Sequence, residues 1–240
     1  MPEGQAETYL WLRPERSRSG PQAPLSRSQI ARAAIMLADE GGAEAVTMRA
    51  VAARLGCGTM SLYRHVRNKD ELIDVMVDTV AGETDGTPAT GDGWRAVLRA
   101  SAIRLRQQVL RHPWICRVSP ARPFLGPNTL ASSERVLAAV DGLGLSIDEM
   151  LAVVRTVEAF VRGFTQAELA EREWRRPPGE LPPDGWAAVS VVPYLLHIAE
   201  TGQYPLFVRA VIEAEDFPDP DKEFEWQLDR VLDGLAAAIH

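Results

Sequence analysis

The chain has 240 residues, 46% hydrophobic and 25% charged, with a formal net charge of −7. That balance is ordinary for a globular protein, and no apolar run approaches the ~20 residues that cross a bilayer, so no membrane partner is expected. The N-terminal stretch has acids before any basic residue and does not read as a signal peptide, and Cys57 and Cys116 form no C-x-x-C pair, which excludes a disulfide framework or zinc site and suits a reducing cytoplasm.

Charge is unevenly spread. Residues 1–69 carry ten Lys/Arg against six Asp/Glu, whereas residues 70–240 carry sixteen against twenty-seven. The basic end suits phosphates, with the acidic remainder facing away.

Residues 1–24 are rich in Pro, Gly, Ser and Arg, lack periodicity, and read as a mobile arm. Ser26 or Ser28 can cap the first helix, whose apolar face is Ile30, Ala33, Ala34, Leu37 and Ala38. Gly41-Gly42 ends it. A second helix is predicted over Met48–Leu55 with Thr47 as N-cap, a third over Thr59–His65, and a fourth from Asn68 onward. Residues 82–93 (GETDGTPATGDG) are full of breakers and read as a linker. Further helices are predicted over Trp94–Arg111, stopped by His112-Pro113, then over Asn128–Leu143, over Ile147–Trp174 with Ser146 as cap, over Val191–Thr201, and over Lys222–Ile239. The segment 175–186 reads as a long loop. Nothing alternates like a strand. The fold class is all-α: a three-helix N-terminal domain (25–82), a linker (83–93) and a helical C-terminal domain (94–240).

The informative stretch is VTMRAVAARLGCGTMSLYRHVRNKDEL, residues 46–72. Two short helices flank Gly56-Cys57-Gly58, where Gly56 supplies a residue tolerant of positive φ. Ala52 is small where the second helix must cross, and Val51, Leu55 and Leu62 supply packing. This is a helix-turn-helix, whose second helix enters a major groove. Arg49, Thr59, Ser61, Tyr63, Arg64, His65, Arg67 and Lys69 put phosphate and base donors on one compact surface.

Residues 28–76 resemble the DNA-binding domain of the tetracycline-repressor family. The resemblance is carried by Thr47-Met48-Arg49-x-Val51-Ala52-x-x-Leu55-Gly56 and by Ser61-Leu62-Tyr63-Arg64-His65-Val66-x-Asn68-Lys69-x-x-Leu72. It implies a DNA surface made of Thr47, Met48, Arg49, Thr59, Met60, Ser61, Tyr63, Arg64, His65 and Lys69. Arg49, Thr59, Met60 and Arg64 fall at or near base edges. Thr47, Tyr63 and Lys69 fall on phosphates, as does His65 unless it serves packing. Met60 stands where the family's namesake has proline, so the operator sequence should differ.

The C-terminal helix pattern resembles the same family's ligand-binding and dimerisation domain. The resemblance implies a palindromic double-stranded operator, a small-molecule inducer, and a homodimer formed by helices about 147–174 and 222–239. Leu151, Val154, Val157, Phe160, Val161 and Phe164 offer more apolar surface than one face of a helix needs. Candidate ligand contacts are Ser101, Leu105, His112, Trp114, Arg155, Glu158, Phe160, Arg162 and Gln166. Ser119 stands where the namesake has its magnesium-binding histidine, Asp85 where it has a drug-contacting one, and Glu168 alone is a poor metal site. No metal, no cofactor and no magnesium–tetracycline complex are expected. An apolar organic molecule fits better.

An enzyme is not expected, since no G-x-G-x-x-G, Walker, H-E-x-x-H or G-x-S-x-G motif is present. The remaining alternatives are a helical protein-interaction module and a DNA-binding regulator without small-molecule input. A steep salt dependence of binding separates a DNA binder from the former.

Overall fold

A computed structural model describes residues 9–14, 25–83, 93–118, 123–174, 192–213 and 219–239. The chain divides into two compact units, residues 1–158 with 239–240, and residues 159–238. All regular structure among the described residues is helical. The expected loop 175–186 and most of the expected linker lie outside those residues.

In the first unit, helix α1 (Arg27–Gly41) begins at Ser26 rather than Ser28. The Ser26 hydroxyl accepts from Gln29 N at 3.1 Å, and the Gln29 side-chain Oε1 accepts from Ser26 N at 2.9 Å, a reciprocal capping box. Gly42, at φ +77°, ends the helix. Helix α2 (Met48–Arg54) is capped by Thr47, as expected. Helix α3 (Thr59–Tyr63) stops two residues early, because His65 N and Val66 N both turn back onto the Leu62 carbonyl. Helix α4 (Lys69–Ala81) is capped by Asn68, and Asp70 and Glu71 sit in its first turn, where carboxylates complement the helix dipole. The alanines of α1 allow close packing against α4. Ile30, Ala34, Val51, Leu62, Val66 and Leu72, all fully buried, form a continuous core.

Two expectations change here. The N-terminal arm is not mobile throughout: Leu10–Leu12 form one 3₁₀ turn, and Leu10, 2% exposed, is part of the core of α1–α4. A polar, Arg-rich context hid one apolar anchor. Trp114 also belongs to that core. It sits on a 3₁₀ helix, Pro113–Arg117, that follows helix α5 (Gly93–Arg111) directly.

Helix α6 (Pro127–Val140) has Pro127 in its first turn, where a missing N–H costs nothing. It ends three residues before the expected Leu143, because the chain turns at Gly142, φ +77°, before reaching Gly144, φ +79°. Helix α7 (Ile147–Trp174) has the expected bounds. Its cap is reciprocal: Glu149 N donates to Ser146 Oγ at 3.3 Å, and the Ser146 hydroxyl and backbone N each donate to Glu149 Oε2 at 2.7 Å. These bonds hold the Glu149 carboxyl below its ordinary pKa of 4.5, the hydroxyl contributing most. A lowered folded-state pKa means that the cap's contribution is present above 4.5 and is lost as pH falls through the depressed value. Ser146→Ala is therefore expected to move the Glu149 titration back up, as read by carboxyl NMR.

The second unit holds the C-terminal half of α7 with helices α8 (Val192–Thr201), α9 (Pro205–Glu213) and α10 (Pro220–Ala238). Helix α9 has no counterpart in the sequence reading; its nine residues lie between prolines and carry too few turns for a clear period. Phe224, Leu228 and Leu232 of α10 are buried. Phe224 meets Phe160 and Phe164 of α7 at ring-centroid distances of 5.6 and 5.3 Å.

Candidate nucleic-acid interface

The reading surface is built on α2 and α3. The turn between them places Gly56 at φ +65°, where an L side chain is strained. Cys57 N donates to the Ala52 carbonyl at 3.0 Å and closes the turn. Ala52, 3% exposed, lets the two helices approach. Five residues cannot sustain a helix alone; Leu62, fully buried, fastens α3 to the core. Around that anchor Met60 is 72% exposed, Tyr63 is 42% exposed, and Arg64 lies open to solvent.

The other expected contacts take graded positions. Thr47, Arg49 and Lys69 are exposed, whereas Met48, Thr59, Ser61 and His65 are half-buried. The Thr47 hydroxyl accepts from Ala50 N at 3.1 Å, so its first duty is the cap of α2. Lys69 Nζ donates to the Ala43 carbonyl at 3.3 Å, which holds the ammonium over the loop before α2. The His65 carbonyl accepts from Arg27 Nε at 3.4 Å. No Asp or Glu occurs from residue 45 to residue 68, while Arg49, Arg54, Arg64 and Arg67 do. Arg54 is committed to Glu40, at 2.8 Å to each carboxylate oxygen. The acid-free stretch gives the surface a positive potential despite the chain's net charge of −7.

Residues 30–76 match the family model described as bacterial regulatory proteins, tetR family. Residues 87–239 match the model of the tetracyclin repressor-like C-terminal domain. The chain belongs to the TetR family. It is a DNA-binding transcriptional regulator with an N-terminal helix-turn-helix. The HTH-type transcriptional repressor DrrR1 of Streptomyces coeruleorubidus is 36% identical over 231 residues, 96% of this chain and 84% of that protein. The tetracycline repressor class A from transposon 1721 of Escherichia coli is 30% identical, covering 88% of this chain and 91% of that protein. Among solved structures, the TetR family protein ActR of Streptomyces coelicolor in complex with actinorhodin superposes with a TM-score of 0.71 at 29% identity, over 90% of this chain and 99% of that one. These relatives are regulators rather than enzymes.

The residues expected around a ligand are dispersed. His112 and Trp114 face the DNA-reading head of this TetR-family chain. The buried His112 ring lies between Asp39 Oδ1, 2.8 Å from Nδ1, and Glu83 Oε2, 3.0 Å from Nε2. The Trp114 indole N–H donates to the same Asp39 oxygen at 2.9 Å. Both were expected among the ligand contacts by resemblance; here their ring nitrogens are engaged by carboxylates of Asp39 and Glu83. Ser101 and Leu105 are half-buried on α5, and Phe160 is half-buried in its aromatic cluster. Arg155, Glu158, Arg162 and Gln166 are exposed on α7. Glu168 is buried and pairs with Arg172. Among the described residues no group of His, Cys, Asp and Glu could hold a metal ion, and no helix is long and apolar enough to cross a membrane.

One joint was not legible in the sequence. Asp78 of α4, 4% exposed, accepts from Thr129 N at 2.9 Å, from Thr129 Oγ1 at 3.1 Å and from Asn128 Nδ2 at 3.1 Å. A carboxylate from one helix thereby caps the start of another, α6. Gly126 permits this, since a Cβ there would stand 2.2 Å from Asp78 Oδ1. On α5, Gln108 Nε2 donates to the Val80 carbonyl at 3.0 Å. The helix that continues from the reading surface is thus tied to both α5 and α6. The Asn-Thr pair after Gly126-Pro127 was the available signal, but it names no partner 50 residues away.

Proposed function

We propose that this regulator is a homodimeric, cytoplasmic repressor that is released from a palindromic operator by a small, mostly apolar organic ligand. The observation that carries the DNA half is the exposed, acid-free ridge of Arg49, Met60, Tyr63, Arg64 and Lys69 around the buried Leu62. Arg49, Thr59, Met60 and Arg64 read base edges. Thr47, Met48, Ser61, Tyr63, His65 and Lys69 set the register on phosphates and at the rim. Tyr63→Ala and Lys69→Ala are expected to weaken binding to all sequences alike, with the Lys69 variant losing about one unit of salt slope. Arg64→Ala should relax base choice at about 1–3 kcal/mol. Electrophoretic titration across operator variants measures both, and an Arg64 variant with full selectivity overturns the assignment.

The ligand half rests on the ties from α4 to α5 and α6, and on ActR, solved with (S)-DNPA and with actinorhodin. Ser101 and Leu105, half-buried on α5, are the ligand-facing candidates that keep this role here. A ligand that prefers one arrangement of α5 and α6 shifts α4, and with it the reading head; equal affinity for both arrangements shifts nothing. Actinorhodin is the first probe to titrate, followed by related polycyclic compounds. Saturating ligand should raise the operator Kd about tenfold or more, and a Kd unchanged by a compound shown to bind contradicts this mechanism.

For the dimer, part of the apolar surface of α7 expected from sequence stays accessible in the single chain. Val157 and Val161 are buried within the chain, and Leu151, Val154, Phe160 and Phe164 are half-buried. One exposed stripe of α7 is small, Ala159, Gly163, Ala167 and Ala170, beside a polar one of Arg155, Glu158, Arg162 and Gln166. On α10, Trp226, Arg230, Gly234 and Ala237 are exposed, with the Arg230 guanidinium 5.6 Å from the Trp226 ring centroid. Small side chains on α7 allow close approach of a second helix, and exposed Trp226 offers apolar area on α10, so the interface is assigned to these faces of α7 and α10.

A further inference from the structure

The segment ahead of α1 does more than lead into it. Leu10 is buried in the core of α1–α4, with Trp11 packed against that core. This anchor delivers Arg13 to the start of α4, where its guanidinium pairs with Glu71. Both side chains are only 14% exposed, so the pair is little screened by salt. The Arg13 carbonyl accepts from Arg27 Nη2 at 3.0 Å, and Arg27 Nε donates to the His65 carbonyl just past the end of α3. Glu71 in turn accepts from Arg67 N at 2.7 Å, and Glu71 N donates to Asn68 Oδ1 at 2.8 Å. Residues 64–68, the turn that presents Arg64 and Arg67 and leads to Lys69, are therefore held from two sides by one arginine of the N-terminal segment.

We propose that Arg13 is a positioning residue for operator binding: it acts through Glu71 and Arg27 on the turn after α3 and does not itself touch DNA. Two physical effects follow from its place. It fixes the turn, and it neutralises Glu71, the carboxylate nearest in sequence to the phosphate-facing cations apart from Asp70. Without Arg13, an uncompensated negative charge stands beside Arg67 and Lys69 and raises the cost of bringing phosphates close. The inference rests on the placement of Arg64 and Lys69 against DNA. If that placement fails, Arg64→Ala and Lys69→Ala leave affinity unchanged, whatever Arg13 does.

The test uses the full-length dimer. Arg13→Met keeps the aliphatic stem and removes the charge; Glu71→Gln keeps an acceptor for Arg67 N and removes the charge. Arg13→Met is expected to weaken operator binding about tenfold, with the salt slope of wild type. Glu71→Gln should bind within about threefold of wild type, and the double variant should bind like Glu71→Gln, so that losing the carboxylate suppresses loss of the arginine. Arg13→Gln provides the same comparison should the methionine variant not fold. A direct phosphate contact gives a different pattern, a salt slope reduced by about one and no suppression by Glu71→Gln. That pattern, or wild-type affinity in Arg13→Met, overturns the proposal. A fall in thermal midpoint with unchanged affinity at a temperature where the variant is folded also overturns it.

Discussion

Gly163→Arg is expected to turn the regulator into a monomer and to lower its affinity for a palindromic operator by about 100-fold or more. Glycine inside a helix costs about 1 kcal/mol relative to alanine, so its place in the middle of α7 calls for a reason. That reason is not internal packing, since a Cβ on Gly163 would meet nothing within 4 Å. Gly234 of α10 has the same open surroundings. Gly163 lies on an exposed stripe with Ala159, Ala167 and Ala170, and Gly234 lies beside the exposed Trp226 and Arg230, so we assign both to the face that meets a second copy. Two reading heads linked in one dimer bind a palindrome with the second contact effectively intramolecular, and a monomer forfeits that gain. Light scattering after size exclusion reads the mass, and operator titration reads the affinity. Gly163→Ala is the control: it should leave the mass unchanged and raise the thermal midpoint slightly. A Gly163→Arg variant that stays dimeric at wild-type concentrations removes α7 from the interface.

Leu62→Ala is expected to destabilise the head by about 2–5 kcal/mol and to abolish operator binding at temperatures where wild type binds fully. The recognition helix has five residues and no side-chain N-cap, so it owes its orientation to packing. Leu62 at full burial is its only buried side chain. Truncation leaves a cavity in the buried core of the head, while overall helix content scarcely changes. Met60→Ala makes the contrast. Its side chain is 72% exposed and packs little, so the thermal midpoint should stay within about a degree while base preference changes. Selection of bound sequences from a randomised pool, together with thermal unfolding, separates the two effects. Equal losses of stability in both variants would show that α3 is not held by Leu62 alone.

The local elements were legible because their signals are local. Thr47 and Ser146 cap the helices they were expected to cap, and Gly56 takes the positive φ that the turn requires. Each depends on a side chain reaching a backbone group within three residues, or on one residue's own backbone freedom. The order of residues from Thr47 to Lys69 likewise pointed to the family, because a short helix-turn-helix leaves few places for a small residue, a glycine and a buried leucine.

What only the tertiary structure decided concerns partners far apart in the chain. Arg13 met Glu71, Asp78 met Thr129, and His112 met Asp39 and Glu83. No periodicity encodes such pairs, since each is set by which faces of separate helices come together. The same holds for α7. Sequence alone determined that the helix is amphipathic and 28 residues long. It took packing to show that Val157 and Val161 turn inward and that Ala159, Gly163, Ala167 and Ala170 lie exposed. Sequence placed the helix-turn-helix in one segment; the fold brought Arg13 to Glu71, 58 residues further on, at that segment's exit.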